Sequence, residues 1–300
     1  MTSATLTGTL VGLHLHPIKS CHRVEVDRAV IGAHGLEGDR VWQVIGAEGT
    51  PLTQRQHAVL AAVQPEALQG GLRVSAPGKG FVDVAPPSVE QSVVAAKTLF
   101  GVAVEARDAG AEVAAWFTDL LGEPARLVGV LPQNWRPLPG DFDVWKQPMS
   151  FADACPVLVA GTASLEWLQQ RATEPFGMER FRPNLIVDTD HAWAEDTWRA
   201  FRVGGAELVQ HLPWPRCAVP QIDQDPQGLD PIRGSEPAKV LRQHRWCAAA
   251  PTVPEKFRRI VEGNGLFGVG CTIGPVGHSL AVGDAIVVDS LQTPVLPMPA

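Results

Sequence analysis

The chain has no tyrosine beside nine tryptophans, an imbalance for which the sequence offers no physical reason. Its five cysteines, Cys21, Cys155, Cys217, Cys247 and Cys271, are few, odd in number and widely spaced. No C-x-x-C occurs, which excludes a zinc ribbon or an iron–sulfur set and points to reduced thiols in the cytoplasm. No apolar run reaches the 18 residues that would span a bilayer, so no membrane association is expected. The stretch from Met1 to Gly8 lacks a basic region and an apolar stretch, and no signal peptide is expected. Positive charge is not in excess: 25 Lys and Arg stand against 32 Asp and Glu, for a net charge of -7, which excludes a general nucleic-acid binder. There is no G-x-S-x-G for a serine hydrolase and no repeat with a period of 20–50 residues. Gly268, Gly270 and Gly274 have the wrong spacing for a dinucleotide loop, and Asp223, Asp225 and Asp230 lack that of an EF-hand.

What is present fits a soluble globular protein. The hydrophobic fraction is 45% and the charged fraction 19% over 300 residues, a length that suggests two domains. Short apolar stretches separated by turns dominate: Leu6 to His16, Val24–Val26, Val41–Ile45, Phe81–Val84, Pro156–Ala160, Leu185–Asp188 and Phe201–Val209, the last closed by a two-residue Gly-Gly loop. Leu280–Val288 reads as a final strand pair with a tight turn. Val113, Trp116, Phe117, Leu120 and Leu121 repeat at helical spacing and Gly122 ends the run. Thr162 is placed to cap a helix through Leu165 and Leu168, and a short helix is expected around Pro254 to Glu262. His14 and His16 alternate with Leu13 and Leu15; two apart on one strand face they have the placement of metal ligands, but a solvated strand face is the expected reading. Leu131 to Ser150 carries Pro132, Pro137, Pro139 and Pro148 without apolar periodicity and reads as a linker or surface loop.

The chemistry concentrates in one stretch, His211 to Pro220, where Cys217 follows Arg216 between Pro215 and Pro220. The prolines predict a stiff loop. A guanidinium beside a thiol favours the thiolate, which is both nucleophile and metal ligand. A buried, inert cysteine is the plainer alternative. Lys19, Arg40, Arg55, Arg182 and Arg216 each stand at a strand end or beside a proline. Singly they are ordinary solvated charges; together with a loop thiolate they suit an anionic, phosphate-bearing cofactor and a soft metal.

The motifs His16-Pro17-Ile18-Lys19-Ser20-Cys21, Gly38-Asp39-Arg40-Val41-Trp42-Gln43-Val44-Ile45 and Thr53-Gln54-Arg55-Gln56 resemble the N-terminal β-barrel domain that precedes a MOSC domain. Arg180-Phe181-Arg182-Pro183-Asn184, Arg216-Cys217, Gly265-Leu266-Phe267-Gly268 and Val282-Gly283-Asp284 resemble the MOSC domain itself. The two-domain layout is similar to the mitochondrial amidoxime-reducing components and their bacterial relatives. The resemblance implies an α+β, β-dominated fold: an N-terminal β-barrel-like domain over 5–130, a Pro-rich linker over 131–150, and a MOSC β-barrel domain with peripheral helices over 151–290.

The resemblance further implies a molybdenum–pyranopterin enzyme. Cys217 would ligate the metal; Lys19, Ser20 and Arg40 would hold the cofactor from the first domain, and Arg182 and Asn184 from the second, with Arg55, Thr162 and Arg216 carried over as well. The implied reaction reduces N-hydroxylated substrates: the metal cycles between Mo(VI) and Mo(IV), accepts the substrate oxygen and releases an amine or amidine. Asp223 or Asp225 would assist proton delivery, unless Asp225-Pro226 only forms a turn. Pro215 stands where relatives often carry a small hydroxyl residue. No cysteine cluster of a ferredoxin domain follows the last strand, so a separate electron-transfer protein, of ferredoxin or flavoprotein type, is expected, acting on a monomer. A different class of function stays open: a metal-free sulfur carrier holding a persulfide on Cys217. So does a non-catalytic pterin-binding module.

Overall fold

A computed structural model describes residues 5–136 and 147–298. The first half contains β1 (Thr5–Leu15), β2 (Val24–Glu25), β3 (Arg28–Gly32), β4 (Gly35–Leu36), β5 (Trp42–Ile45), β6 (Gln64–Leu68), β7 (Gly71–Ser75), β8 (Phe81–Val84), β9 (Val93–Lys97), β10 (Ala103–Asp108), α1 (Ala111–Leu121) and β11 (Arg126–Gly129). The second contains β12 (Val157–Gly161), α2 (Thr162–Gln169), β13 (Leu185–Thr189), β14 (Trp198–Val203), β15 (Ala206–Pro215), α3 (Ala238–His244), β16 (Trp246–Cys247), α4 (Glu255–Val261), β17 (Asn264–Ile273), β18 (Ser279–Ala281) and β19 (Ala285–Leu291).

The largest sheet runs β12-β13-β1-β19-β14-β15-β17, and β17 returns to β12, closing a seven-stranded barrel. Its one parallel seam joins β12 to β13, with α2 in the connection between them. Inward side chains fill it, among them Leu10, Val159, Leu185, Val187, Phe201, Leu208, Val269 and Ile286, as a small closed barrel requires. The sequence places β1 in a first domain, but it is a stave of this barrel, paired to β13 and β19. Gly8 makes the fit possible: a Cβ there would lie 2.1 Å from the Asp188 carbonyl oxygen.

Apart from β2, which pairs with β1, and β3 and β4, which join β18 and pack on the barrel core, the rest of the first half forms its own body. A four-stranded sheet, β5-β11-β10-β9, and a meander, β6-β7-β8, enclose α1 over a core that includes Trp42, Val44, Leu60, Val74, Val113, Phe117 and Leu127. The helix follows its sequence pattern: Val113 and Phe117 are buried, and Gly122 ends it at φ +73°.

Several local expectations need correction. The stretch from His211 to Pro215 is strand, not loop. It lies past Val209, the last β15 residue paired to β14, so β15 has only β17 beside it, and the register slips between Gln210 and Leu212 and again between Pro213 and Pro215. Prolines are tolerated at such one-sided, irregular positions. The Gly-Gly hairpin forms as read, with Val203 opposite Ala206. The strands around the Ala281–Asp284 turn do not pair with each other: β18 joins β3, and β19 enters the barrel. Thr162 is not a cap, because Gly161 takes the N-cap position and donates its N–H to Glu195 Oε1 at 3.1 Å. His14 and His16 are buried, not solvated: β2 pairs across His14, and the Asp39-Arg40 segment bonds to the backbone of His16. Within the proposed linker, Arg136 and Met149 form an antiparallel bridge and Met149 is buried; Pro137 and Pro139 lie outside the described residues.

Candidate active site

Lys19, Ser20, Arg40, Arg55, Arg182, Asn184, Arg216 and Cys217 line a single cleft of about 410 Å³. The first four come from loops of the first half and the others from the barrel mouth. The backbone is unusual at three of them: Ser20, Arg40 and Arg182 hold φ of +67°, +49° and +53°. Non-glycine residues rarely adopt this left-handed region, and where they do, the surrounding structure has to hold them there. The supports are visible. Arg40 N–H donates to the His16 carbonyl at 2.9 Å, Gln54 Nε2 donates to the Ser20 carbonyl at 2.8 Å, and Arg182 Nη1 donates to Gln224 Oε1 at 3.0 Å.

Asn184 joins the two halves. Its Oδ1 accepts from Arg40 Nη1 at 2.9 Å and from the Leu158 N–H at 3.2 Å, and its Nδ2 donates to the His14 carbonyl at 3.1 Å. Arg40 also pairs with Asp39, whose other oxygen accepts the His16 N–H at 2.8 Å. Lys19 Nζ donates to the Phe151 carbonyl at 2.7 Å and pairs with Asp153. Arg55 stands between that carboxylate and the thiol, with Nη2 at 3.8 Å from Asp153 Oδ2 and donating to Cys217 Sγ at 3.4 Å. Cys217 is exposed at the rim, while Cys21, Cys155, Cys247 and Cys271 are buried.

Charge in the cleft is unbalanced. Asp153 is the one carboxylate among the described residues that line it, against Lys19 and four arginines besides Arg259. Burial, and then the neighbouring Arg40, pulls the Arg182 guanidinium down to about 9. Burial likewise lowers Arg216 to about 10. Burial lowers the Lys19 ammonium, with Asp153 acting against it. Burial pushes the Asp153 carboxyl up, but Lys19 outweighs it and holds the group below its usual range. Arg216 Nη2 donates to the Phe181 carbonyl at 2.6 Å, yet its Nε and Nη1 are buried without a hydrogen-bond partner. Buried cationic donors left without partners are costly, and a bound anion offsets that cost. His16, fully buried beneath Arg182 and Arg40, is held well below its usual value by burial and then by those charges. A neutral ring there adds no further charge.

The remaining residues read from sequence lie elsewhere. Thr162 is outside the cleft; its hydroxyl donates to Asp188 Oδ1 at 2.7 Å. Asp223 and Asp225 are also outside it. Asp225 accepts from His22 Nε2 at 2.7 Å and Arg23 Nη1 at 2.6 Å. Burial raises its carboxyl, but those partners outweigh burial and leave it below the usual range, tied in an ion-pair cluster. Sequence reasoning missed Asp153, Gln54 and Gln224. Asp153 follows Phe151 in a stretch without periodicity, and two glutamines 170 positions apart carry no local signal. Among the described residues no cluster of three His, Cys, Asp or Glu forms a metal site. A metal here would rest on one protein ligand and on its own organic scaffold.

The class is thus a β-barrel protein with a cation-lined cleft and a thiol at its rim, assembled between two modules. The family model of the MOSC N-terminal beta barrel domain matches residues 7–124, and that of the MOSC domain matches residues 146–287. The chain is 31% identical over 288 residues to mitochondrial amidoxime reducing component 2 of Homo sapiens, covering 93% of this chain and 83% of that protein. It is 30% identical over 288 residues to the same component of Bos taurus, covering 93% and 82%. It is 29% identical over 257 residues to the molybdenum cofactor sulfurase of Danio rerio, covering 79% of this chain and 30% of that one. The chain belongs to the MOSC family, in the two-module form with the N-terminal MOSC β-barrel domain. No helix among the described residues is long and apolar enough to cross a membrane.

Proposed function

We propose that this protein is a molybdenum-cofactor oxidoreductase that removes oxygen from N-hydroxylated compounds of the amidoxime and hydroxylamine type. The observation that carries the reading is the Arg216 guanidinium, two of whose nitrogens are buried without a partner in a cation-lined cleft that ends at an exposed thiol. That donor set fits a phosphate-bearing pyranopterin. Lys19, Ser20, Arg40, Arg182, Asn184 and Arg216 would hold its anionic end, and Cys217 its metal. The cofactor, when bound, supplies a two-electron centre able to accept an oxygen atom.

The chain's own residues supply orientation and charge. Arg55 donates to the Cys217 sulfur and fixes its direction. Asp153 compensates Lys19 and Arg55, so the wall near the thiol is less positive than the depth of the cleft around Arg182. The Asn184 side chain links the two modules across the cleft floor, so displacement of either disturbs both. Electrons come from a separate ferredoxin- or flavoprotein-type protein, and the unit that receives them is a monomer. Five unpaired thiols suit the cytoplasm.

Elemental analysis of protein expressed in a host that makes the cofactor tests the reading. The expected result is near-stoichiometric molybdenum and benzamidoxime reduction with an artificial donor, both lost in Cys217→Ala. Metal-free protein with a persulfide mass adduct on Cys217 would instead establish the sulfur-carrier alternative. The exposure of that sulfur favours the carrier, but a carrier has no use for the phosphate-suited cations.

A further inference from the structure

A second cavity, of about 100 Å³, opens beside the first. Arg216, Cys217 and Asn264 line both, so the two meet at the thiol. Their characters differ. Lys19, Arg40, Arg55, Arg182 and Arg216 stand among apolar side chains in the larger cavity, whereas Arg216 is the one cation among the described residues lining the smaller, which is otherwise walled largely by Ala238 and Leu241 of α3, by Trp246 of β16 and by glycine backbone. No carboxylate lines it among the described residues. Two features keep it open. Gly265 has no side chain, and a Cβ there would meet Leu241 Cβ at 2.8 Å. Trp246, anchored opposite Gly265, leaves 41% of its surface exposed although it is large and apolar. Arg242 covers part of the indole, its guanidinium 5.5 Å from the ring centroid.

We propose that this smaller cavity is the subsite for the organic group of the substrate, and that it selects a flat, uncharged aryl group. The inference rests on the functional reading above. If the cationic cleft holds the cofactor, a substrate reaching a metal on Cys217 has to place its remaining atoms elsewhere, and the apolar cavity adjoins the same sulfur. Its volume is of the order that accommodates one benzene-sized ring. Its apolar walls favour burial of an uncharged ring, and the indole offers edge or face packing. The guanidinium of Arg216 at its inner end disfavours a cationic group there.

The test compares benzamidoxime with acetamidoxime, which carries the same N-hydroxylated group without the ring. Ala238→Trp fills the cavity; Trp246→Ala removes one wall, and serves if the first variant folds poorly. The expected result for each is a KM for benzamidoxime raised about tenfold, the loss from denying burial to roughly 60 Å² of aryl surface. The KM for acetamidoxime and the molybdenum content stay at the wild-type values. A proportionate change for both substrates, or for neither, with metal content intact, overturns the subsite. Saturation-transfer NMR of benzamidoxime on the protein as isolated gives a readout independent of turnover. Ring-proton transfer in the wild type that is lost in Ala238→Trp supports the subsite even if the protein proves to lack reductase activity. Equal transfer in both proteins overturns it.

Discussion

Gln54 and Gln224 exchange two side-chain hydrogen bonds across the module boundary. Gln54 Nε2 donates to Gln224 Oε1 at 3.0 Å, and Gln224 Nε2 donates to Gln54 Oε1 at 2.9 Å. Both are buried, and their remaining bonds reach the Ser20 carbonyl, the Ile222 carbonyl and Arg182 Nη1. The pair thus ties two of the left-handed cleft residues to the loop that follows Cys217. Replacing either glutamine by methionine leaves polar groups of its neighbours buried and unmatched. Each single variant is expected to lose about 1–3 kcal/mol in urea unfolding. The double variant is expected to lose less than the sum, because the second change removes a partner already stranded. Strict additivity would show that the two amides do not act as a unit.

The surplus of cations predicts stabilisation by a simple anion. Inorganic pyrophosphate added to cofactor-free protein raises the melting temperature; at ten times its Kd it contributes about 1.4 kcal/mol. Arg182→Ala diminishes that shift severalfold at matched ionic strength. An equal shift in the variant would place the anion outside the cleft.

Glu195 gives a pH signature remote from the cleft. It is fully buried beneath α2, where Gly161 N–H and Ser164 Oγ donate to its two oxygens. Burial, and then the neighbouring Asp196, raises its carboxyl from 4.5 to about 7. A raised carboxyl favours the fold below pH 4.5, and that contribution is lost as pH rises through about 7. Burial lowers His14 and His211 to about 4, so their contributions run the other way and are lost on acidification from 6.5 toward 4. Comparison with Glu195→Gln cancels the histidines. Relative to wild type, the variant is expected to gain up to roughly 3 kcal/mol between pH 5 and pH 8. A constant difference across that range, read from urea melts, would contradict the assignment.

Gly8→Ala tests the β1–β13 seam. The new methyl would meet the Asp188 carbonyl oxygen, a backbone atom fixed in the barrel ladder. An expected loss of about 2–4 kcal/mol follows from forced separation of the strands. Gly228→Ala, where nothing lies within 4 Å and φ is not positive, is the matched control and is expected to leave stability within about 0.5 kcal/mol of wild type.

Local features of the fold were legible in the sequence, and so were most residues of the cleft. Helical spacing from Val113 to Leu121 and the Gly204-Gly205 turn encode their structures within a few residues, and both form as read. Eight of the nine residues named for the site share one cavity, because the motifs that carry the family resemblance are the ones that shape it. What stayed hidden depends on contacts distant in sequence. Nothing near Leu10 signals that it packs in a barrel with Val269. The left-handed backbone at Ser20, Arg40 and Arg182 is imposed by partners elsewhere and leaves no composition signal. Thr162 misled because a hydroxyl before an apolar run suggests a cap, whereas the distant Glu195 supplies that cap to Gly161.

The adjacency of β1 and β19, with Leu6 facing Val287, has a consequence for how the molecule is made. Of these two staves β1 is made first, and β19 exists only after every other strand of the barrel has been made. Such distant pairing is slow to form. Until then the edge of β1 is unprotected, a hazard for association with other chains. Closure of the ring through the β1–β19 seam is therefore a late event.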